Sequence, residues 1–219
     1  MIILDFERIW PSVPYILGGV QITLAYTLIS LCLGFLCGAL LALCSVSEMR
    51  PFKVFSSFYA SVFRGTPVLL QLTLIYYATP QLVGYNISVW EAGILSFTLN
   101  SAAYLSEHFR AGIEAVDKGQ KEAALSLGIP YYLMMKDIIL PQAIRNSLPS
   151  FVNEAICLLK ESALISVIGG ADILRRATIV ANEKYIFFEP LLIAGALYYI
   201  LVMILALFGK FLEQKLKQS

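Results

Sequence analysis

Five polar side chains stand where the surrounding sequence is apolar. Asn100, Tyr104 and Glu107 recur at i, i+4 and i+7 and so share one face of a helix, and Glu154 and Glu161 sit at i and i+7 further on. An ionisable group placed in lipid costs at least ~2.5 kcal/mol on insertion scales, so it faces a bundle interior or a wet cavity and has a partner there. Carboxylates in that position meet a cation, while an amide and a phenol hydrogen-bond an anionic or polar group. The competing reading is internal: Glu107 pairs with Arg110 at i+3, and Glu154, Lys160 and Glu161 pair with one another or across a dimer interface. His108, the only histidine, lies between Glu107 and Phe109 and reads as a packing or interfacial residue rather than a proton carrier. Cys32, Cys37, Cys44 and Cys157 fall in apolar stretches without metal-ligand spacing and read as small packing residues.

A second pattern is polar inside an otherwise apolar chain: EAALSLGIPYYLMMKDIILP, residues 122–141. Glu122, Ala123, Ala124, Gly128, Ile138, Leu140 and Pro141 fit EAA-x3-G-x9-I-x-LP, a spacing that a merely solvated loop does not need. Lys118 to Leu127 is rich in good helix formers, and Gly128 stands where a left-handed C-terminal cap belongs. Ile129 and Pro130 then force a break and open a second helix, Tyr131 to Leu140, which Pro141 ends or kinks. Ala123 and Ala124 form a small-residue patch that lets another backbone approach closely. Such a knuckle can sit in a groove of a partner and transmit its motion.

The elements that must carry these residues are membrane helices. Of 219 residues, 58% are hydrophobic and 14% charged, and the mean hydropathy is +0.75, far from a soluble domain. Charge-free runs cover 10–47, 65–90, 92–106 and 190–209, and a further span over about 147–171 is interrupted by Glu154, Lys160 and Glu161. With the third run extended to Glu107, these predict an all-α integral membrane protein of five spans, since crossing ~30 Å of hydrocarbon takes about 20 helical residues. With the N-terminus outside, Arg50, Lys53, Arg110, Lys118, Lys121, Lys136, Arg145, Lys210, Lys215 and Lys217 fall inside, against Arg8, Arg175, Arg176 and Lys184 outside. The positive-inside rule therefore predicts a cytoplasmic 122–141 loop and C-terminus. Arg64, before Gly65, Thr66 and Pro67, is expected to mark the cytoplasmic entry of the second span, snorkelling or holding a backbone carbonyl. The segment from Ile2 to Trp10 is expected along the outer interface with Trp10 as its anchor. No removable signal peptide is expected, because the first apolar run is too long and lacks a basic start.

The 122–141 pattern resembles the cytoplasmic coupling loop of the membrane-spanning subunits of ATP-binding-cassette importers. SVFRGTPVLLQL (61–72), LNSAAYLSEHFRAGI (99–113) and NEAICLLKESALISVIG (153–169) are similar to the permeases for polar amino acids, the histidine, glutamine, glutamate and arginine branch. The chain departs from that pattern at Ser106, where alanine is usual, at Ala111, where glycine is usual, and at Glu161, where aspartate, asparagine or a small polar residue is commoner. The last of these bears on which substrate is bound. The resemblance implies a single type I permease domain over 1–219, with the coupling loop, 118–141, between spans three and four. It implies a homo- or heterodimer of permeases in a bacterial plasma membrane, an ATPase pair that binds the ATP and magnesium, and an extracytoplasmic amino-acid-binding protein. A polar amino acid would then pass with its ammonium at Glu154 and Glu161, its carboxylate or side chain at Asn100 and Tyr104, and Glu107 on the same face.

The sequence has no Gly-rich loop ending in GKS or GKT and no acidic run for magnesium, so no ATPase activity and no cofactor are expected in this chain itself. A net charge of +1 argues against nucleic acid as a partner. A secondary transporter or channel subunit would share the hydropathy and the buried charges but not the EAA spacing. A lipid-modifying membrane enzyme would need acids or histidines clustered at metal-ligand spacing, and here the acids are scattered.

Overall fold

The computed structural model describes residues 5–47 and 49–218, with side chains described to Lys215. The start of the expected interfacial segment, at Ile2, lies outside the described residues. Among these, every regular element is helical: α1 (Phe6–Ile9), α2 (Val13–Leu17), α3 (Gly19–Val46), α4 (Arg50–Gly65), α5 (Val68–Val83), α6 (Val89–Glu114), α7 (Lys118–Ser126), α8 (Tyr131–Leu133), α9 (Leu140–Glu161), α10 (Ile173–Lys184) and α11 (Phe188–Gln218). A tight 3-10 turn, Trp10–Ser12, joins α1 to α2, and Ser162–Ile168 continues α9 in 3-10 geometry.

Each apolar run falls on a helix, because lipid leaves a backbone few other ways to satisfy its own N–H and C=O groups. Phe6–Val46 and Phe188–Lys215 are each long and apolar enough to cross a bilayer unaided, and Arg50–Gly65 with Val68–Val83 form a broken pair that could supply a third crossing. α6 and α9 are more polar, α6 through Ser96, Thr98, Asn100 and Ser101, α9 through Arg145, Asn146, Asn153 and Glu154.

Three elements differ from the sequence expectation. α4 and α10 are helices that no apolar run announces, since each mixes charges with hydrophobic residues. Arg64 accordingly sits in the last turn of α4 rather than at the entry of the next span. The helix expected from about Ser147 begins at Leu140, and Pro141 neither ends nor breaks it. Helical turns precede Pro141, so its missing N–H falls where the hydrogen-bond ladder is already loosened. The preceding residues, Met134–Ile139, widen into a π-turn, and the Leu140 N–H reaches Met135 O.

The chain folds as two compact units. One comprises the residues up to Cys32, Thr66–Thr98 and Ala155–Leu205. Its core gathers Tyr26, Leu72, Phe97, Leu158 and Ile165, with the Tyr26 ring 6.0 Å from Phe97 in an edge-on pair. A second cluster joins Ile9, Ile16, Ile173 and Val180, which is how α10 is held against α1 and α2. The other unit comprises Leu33–Gly65, Leu99–Glu154 and the chain from Ala206. Phe35, Phe109 and Phe151 meet there, with ring centroids 4.9, 5.3 and 4.7 Å apart. α6 and α9 pass so closely at Gly112 that a Cβ would overlap Ser147 Oγ and lie 2.6 Å from Ala143 O. Only glycine permits that approach.

Candidate functional site

The 118–141 segment is built by local capping. Asp117 accepts a hydrogen bond from Gly119 N at 2.7 Å and starts α7. Gly128 ends it with φ +69°, its N–H bonded to Leu125 O and that of Ile129 to Ala124 O, both at 3.0 Å. This pair of bonds is a Schellman cap, the left-handed ending anticipated from the sequence. Val116, Ala124, Met134, Ile139 and Ala143 then close a small core under the turn, with Ile129 and Ile138 against it. The outward face differs from the small-residue patch expected. Ala124 is buried in that core, Ala123 and Glu122 are exposed, and the large exposed apolar groups are Leu125, Leu127, Tyr131, Tyr132 and Leu133. The sequence does not announce Leu125, Leu127, Tyr131 and Tyr132 as an exposed set because helix-former and break signals occupy the same residues. Leu140 and Pro141 serve the entry into α9.

The Asn100, Tyr104 and Glu107 face of α6 meets the C-terminal half of α4. Asn100 Nδ2 donates to Phe63 O at 3.0 Å, and Tyr59 OH donates to Leu99 O at 2.8 Å. The Arg64 guanidinium lies 5.4 Å from the centroid of the Tyr104 ring, and Arg64 Nη1 is 3.3 Å from Glu107 Oε2. Arg110 reaches the same oxygen through Nη2 at 2.7 Å and Glu114 through Nη1 at 2.7 Å. Of the two readings left open for Glu107, the internal pairing with Arg110 is present, and Arg64 joins it. The correction for Arg64 is physical: with an acid one helix away, its guanidinium has a better partner than a backbone carbonyl.

Glu154 lies inside α9, 7% exposed, with Oε2 4.0 Å from His108 Nε2. His108 O accepts Ser147 Oγ at 3.0 Å, so that histidine is held at its backbone while its ring faces an acid. Spacing alone did not pair these two, because they sit on different helices. Glu161 ends α9 and is half-buried, and Lys160 beside it is exposed.

Two further acids act as caps. Glu91 accepts from Ser88 N and Oγ at 2.8 and 2.7 Å and from Tyr85 OH at 2.8 Å, and Glu91 N returns a bond to Ser88 Oγ. That reciprocal S-x-x-E box starts α6 and is not among the motifs anticipated from the sequence. The Ser88 hydroxyl and amide hold the Glu91 carboxyl below the usual glutamate range. Asp172 caps α10 by accepting from Arg175 N and Leu174 N, and takes Tyr198 OH at 2.7 Å. Burial nonetheless pushes its carboxyl above the usual aspartate range. Among the described residues no group of three or more His, Cys, Asp or Glu side chains could hold a metal ion.

Residues 30–218 match the family described as binding-protein-dependent transport system inner membrane component. The chain is 51% identical over 216 residues to the arginine transport system permease protein ArtQ of Bacillus subtilis (strain 168), covering 99% of each. It is 51% identical over 209 residues to the putative glutamine transport system permease protein GlnP of Rickettsia felis, covering 95% of this chain and 96% of that one. A solved structure described as an amino acid ABC transporter with histidines superposes with a TM-score of 0.93 at 41% identity, over 98% of this chain and 100% of that chain.

Proposed function

Because the chain belongs to the binding-protein-dependent transport system inner membrane components, we propose that it is the permease subunit of an ATP-driven importer whose cargo is a polar amino acid. The observation that carries this reading is the 51% identity, over nearly the full length, to two amino-acid permeases, joined to a capped knuckle at 118–141 with exposed apolar side chains. The relatives' names point to arginine and glutamine as cargoes, so a basic or amide amino acid is the first choice to test.

In this reading the chain crosses the membrane five times, N-terminus outside, and two such subunits enclose the path. Support for the orientation comes from the ten cationic residues on the inner segments against four on the outer ones. The exposed Leu125, Leu127, Tyr131 and Tyr132 seat in a groove of each ATPase, and closure of the ATPase pair moves the knuckle. Its Schellman cap and small core let it move as one body, so a shift at the loop reaches α9 through the π-turn. The two bundles then alternate between outward-facing and inward-facing arrangements, a two-state linkage biased by ATP on one side and by the loaded binding protein on the other.

Along the path, Glu154 meets the cargo's ammonium and Glu161 follows it on α9. Asn100, Tyr104 and Glu107 take part through the α4 contacts they already make, so that cargo and α4 compete for the same polar groups. The test is reconstitution: this chain with its ATPase and binding protein in proteoliposomes, offered labelled arginine, glutamine, histidine and glutamate. ATP-dependent uptake of one or more supports the reading. Uptake by this chain alone without ATP makes it a secondary transporter or channel instead.

A further inference from the structure

α4 has two faces. Lys53, Ser57, Ala60, Ser61 and Arg64 lie along one of them, and Phe52, Phe55 and Phe58, all exposed, lie along another. The polar face, with Ser45 at the end of α3 and with Glu107 and Arg110 of α6, lines a cavity of about 630 Å³. Three cations line it against a single acid, and that acid is already shared by both guanidiniums. Lys53 makes no ion pair among the described residues and lines the cavity with Ser57, one turn on.

We propose that this cavity seats the phosphate of an anionic phospholipid from the cytoplasmic leaflet. Two physical features favour a lipid over a soluble anion. An amphipathic helix with exposed aromatic residues on one side and cations on the other lies at the headgroup boundary. A basic pocket between membrane helices on the cytoplasmic side is a headgroup site, because the inner leaflet concentrates anionic lipid and hydrocarbon holds the chain in place. The Lys53 ammonium and the Arg64 N–H groups not used by Glu107 supply charge-assisted donors, and Ser57 and Ser61 supply neutral ones. The assignment to the cytoplasmic leaflet rests on the orientation proposed above, which labelling at Ser126 tests separately.

The experiment uses the assembled transporter, permease with ATPase, in phosphatidylcholine nanodiscs with and without phosphatidylglycerol. Lipids retained after detergent extraction are read by native mass spectrometry. Wild type retains phosphatidylglycerol in preference to phosphatidylcholine. Lys53→Gln lowers that retention about five-fold, the effect of one cation beside an anionic leaflet, and Arg50→Gln, on the same helix but outside the cavity, leaves it unchanged. Ser57→Phe fills the cavity without changing charge and lowers retention as far as Lys53→Gln does, with basal ATPase activity intact. Equal losses in the Lys53 and Arg50 variants would show diffuse attraction and overturn the proposal. So would full retention in Ser57→Phe, or displacement of the lipid by soluble glycerol phosphate at matched concentration, which would make the cavity a site for a free anion.

Discussion

Arg64 and Glu107 join α4 to α6 through an Nη1 to Oε2 distance of 3.3 Å, and the carboxylate involved is the one Arg110 holds at 2.7 Å. One acid thus serves two guanidiniums. Both side chains are partly exposed, at 43% and 28%, so water screens the pair. The double-mutant cycle of Arg64→Ala with Glu107→Ala is expected to give a coupling of about 0.5–1 kcal/mol. Glu107→Gln alone should destabilise more than Arg64→Gln, because it removes the acid of Arg64 and one of the two acids of Arg110. Thermal unfolding of the purified complex measures both, and a coupling of zero would mean that the bridge does not hold α4.

Glu154→Gln is expected to lower uptake roughly ten-fold or more at unchanged complex yield and basal ATPase rate, since a desolvated charge-assisted hydrogen bond contributes about 1.5–3 kcal/mol. Loss of folded complex instead would give Glu154 a purely structural role beside His108. Normal uptake at normal yield would take it off the path entirely.

Gly128 combines φ +69° with open space, since a Cβ there meets nothing within 4 Å. Substitution therefore strains the backbone without a clash, and residue type decides the outcome. Gly128→Asn, tolerant of left-handed geometry, should keep most substrate-stimulated ATPase activity. Gly128→Val, β-branched, should lose most of it while still inserting in the membrane. Equal activity in the two variants would remove the cap from the coupling mechanism.

Ser126 is exposed on the knuckle. In a background with the native cysteines replaced by serine, Ser126→Cys should react with a membrane-impermeant maleimide only after cells are permeabilised. Reaction in intact cells would invert the orientation and place the knuckle beyond reach of an ATPase.

Glu91 offers a pH test. Its carboxyl is held below the usual range by the bonds from Ser88, so the charged form is favoured in the folded state. The stabilisation is present above the unfolded-state pKa and is lost as pH falls through the lower folded value. Glu91→Gln should therefore lower the melting temperature at neutral pH, and the gap to wild type should close under acid. A gap that stays constant down through the acid range would mean that the Ser88 box does not depend on charge.

The helical membrane class was legible because hydrocarbon imposes it: long apolar runs such as those ending in α3 and α11 have no other way to satisfy their backbone. The left-handed turn at Gly128 was legible for a similarly local reason, a good helix-forming run meeting glycine and then Ile129–Pro130. What tertiary structure decided was everything that depends on a neighbour distant in the chain. α4 is a helix whose polar side needs Asn100, Tyr104 and Glu107 opposite it, so no run of its own residues announces it. Ala124 turned inward because Met134 and Ile139 needed a small residue to close on, which left Leu125, Leu127, Tyr131 and Tyr132 to face outward. Glu107 had an i+3 partner visible in sequence, but Arg64 arrives only when α4 folds back against α6. Glu154 and His108 approach for the same reason, through the contact that Gly112 allows between α6 and α9. Spacing along one helix tells which side chains share a face, while charge pairing and burial are set by the face that packs against it.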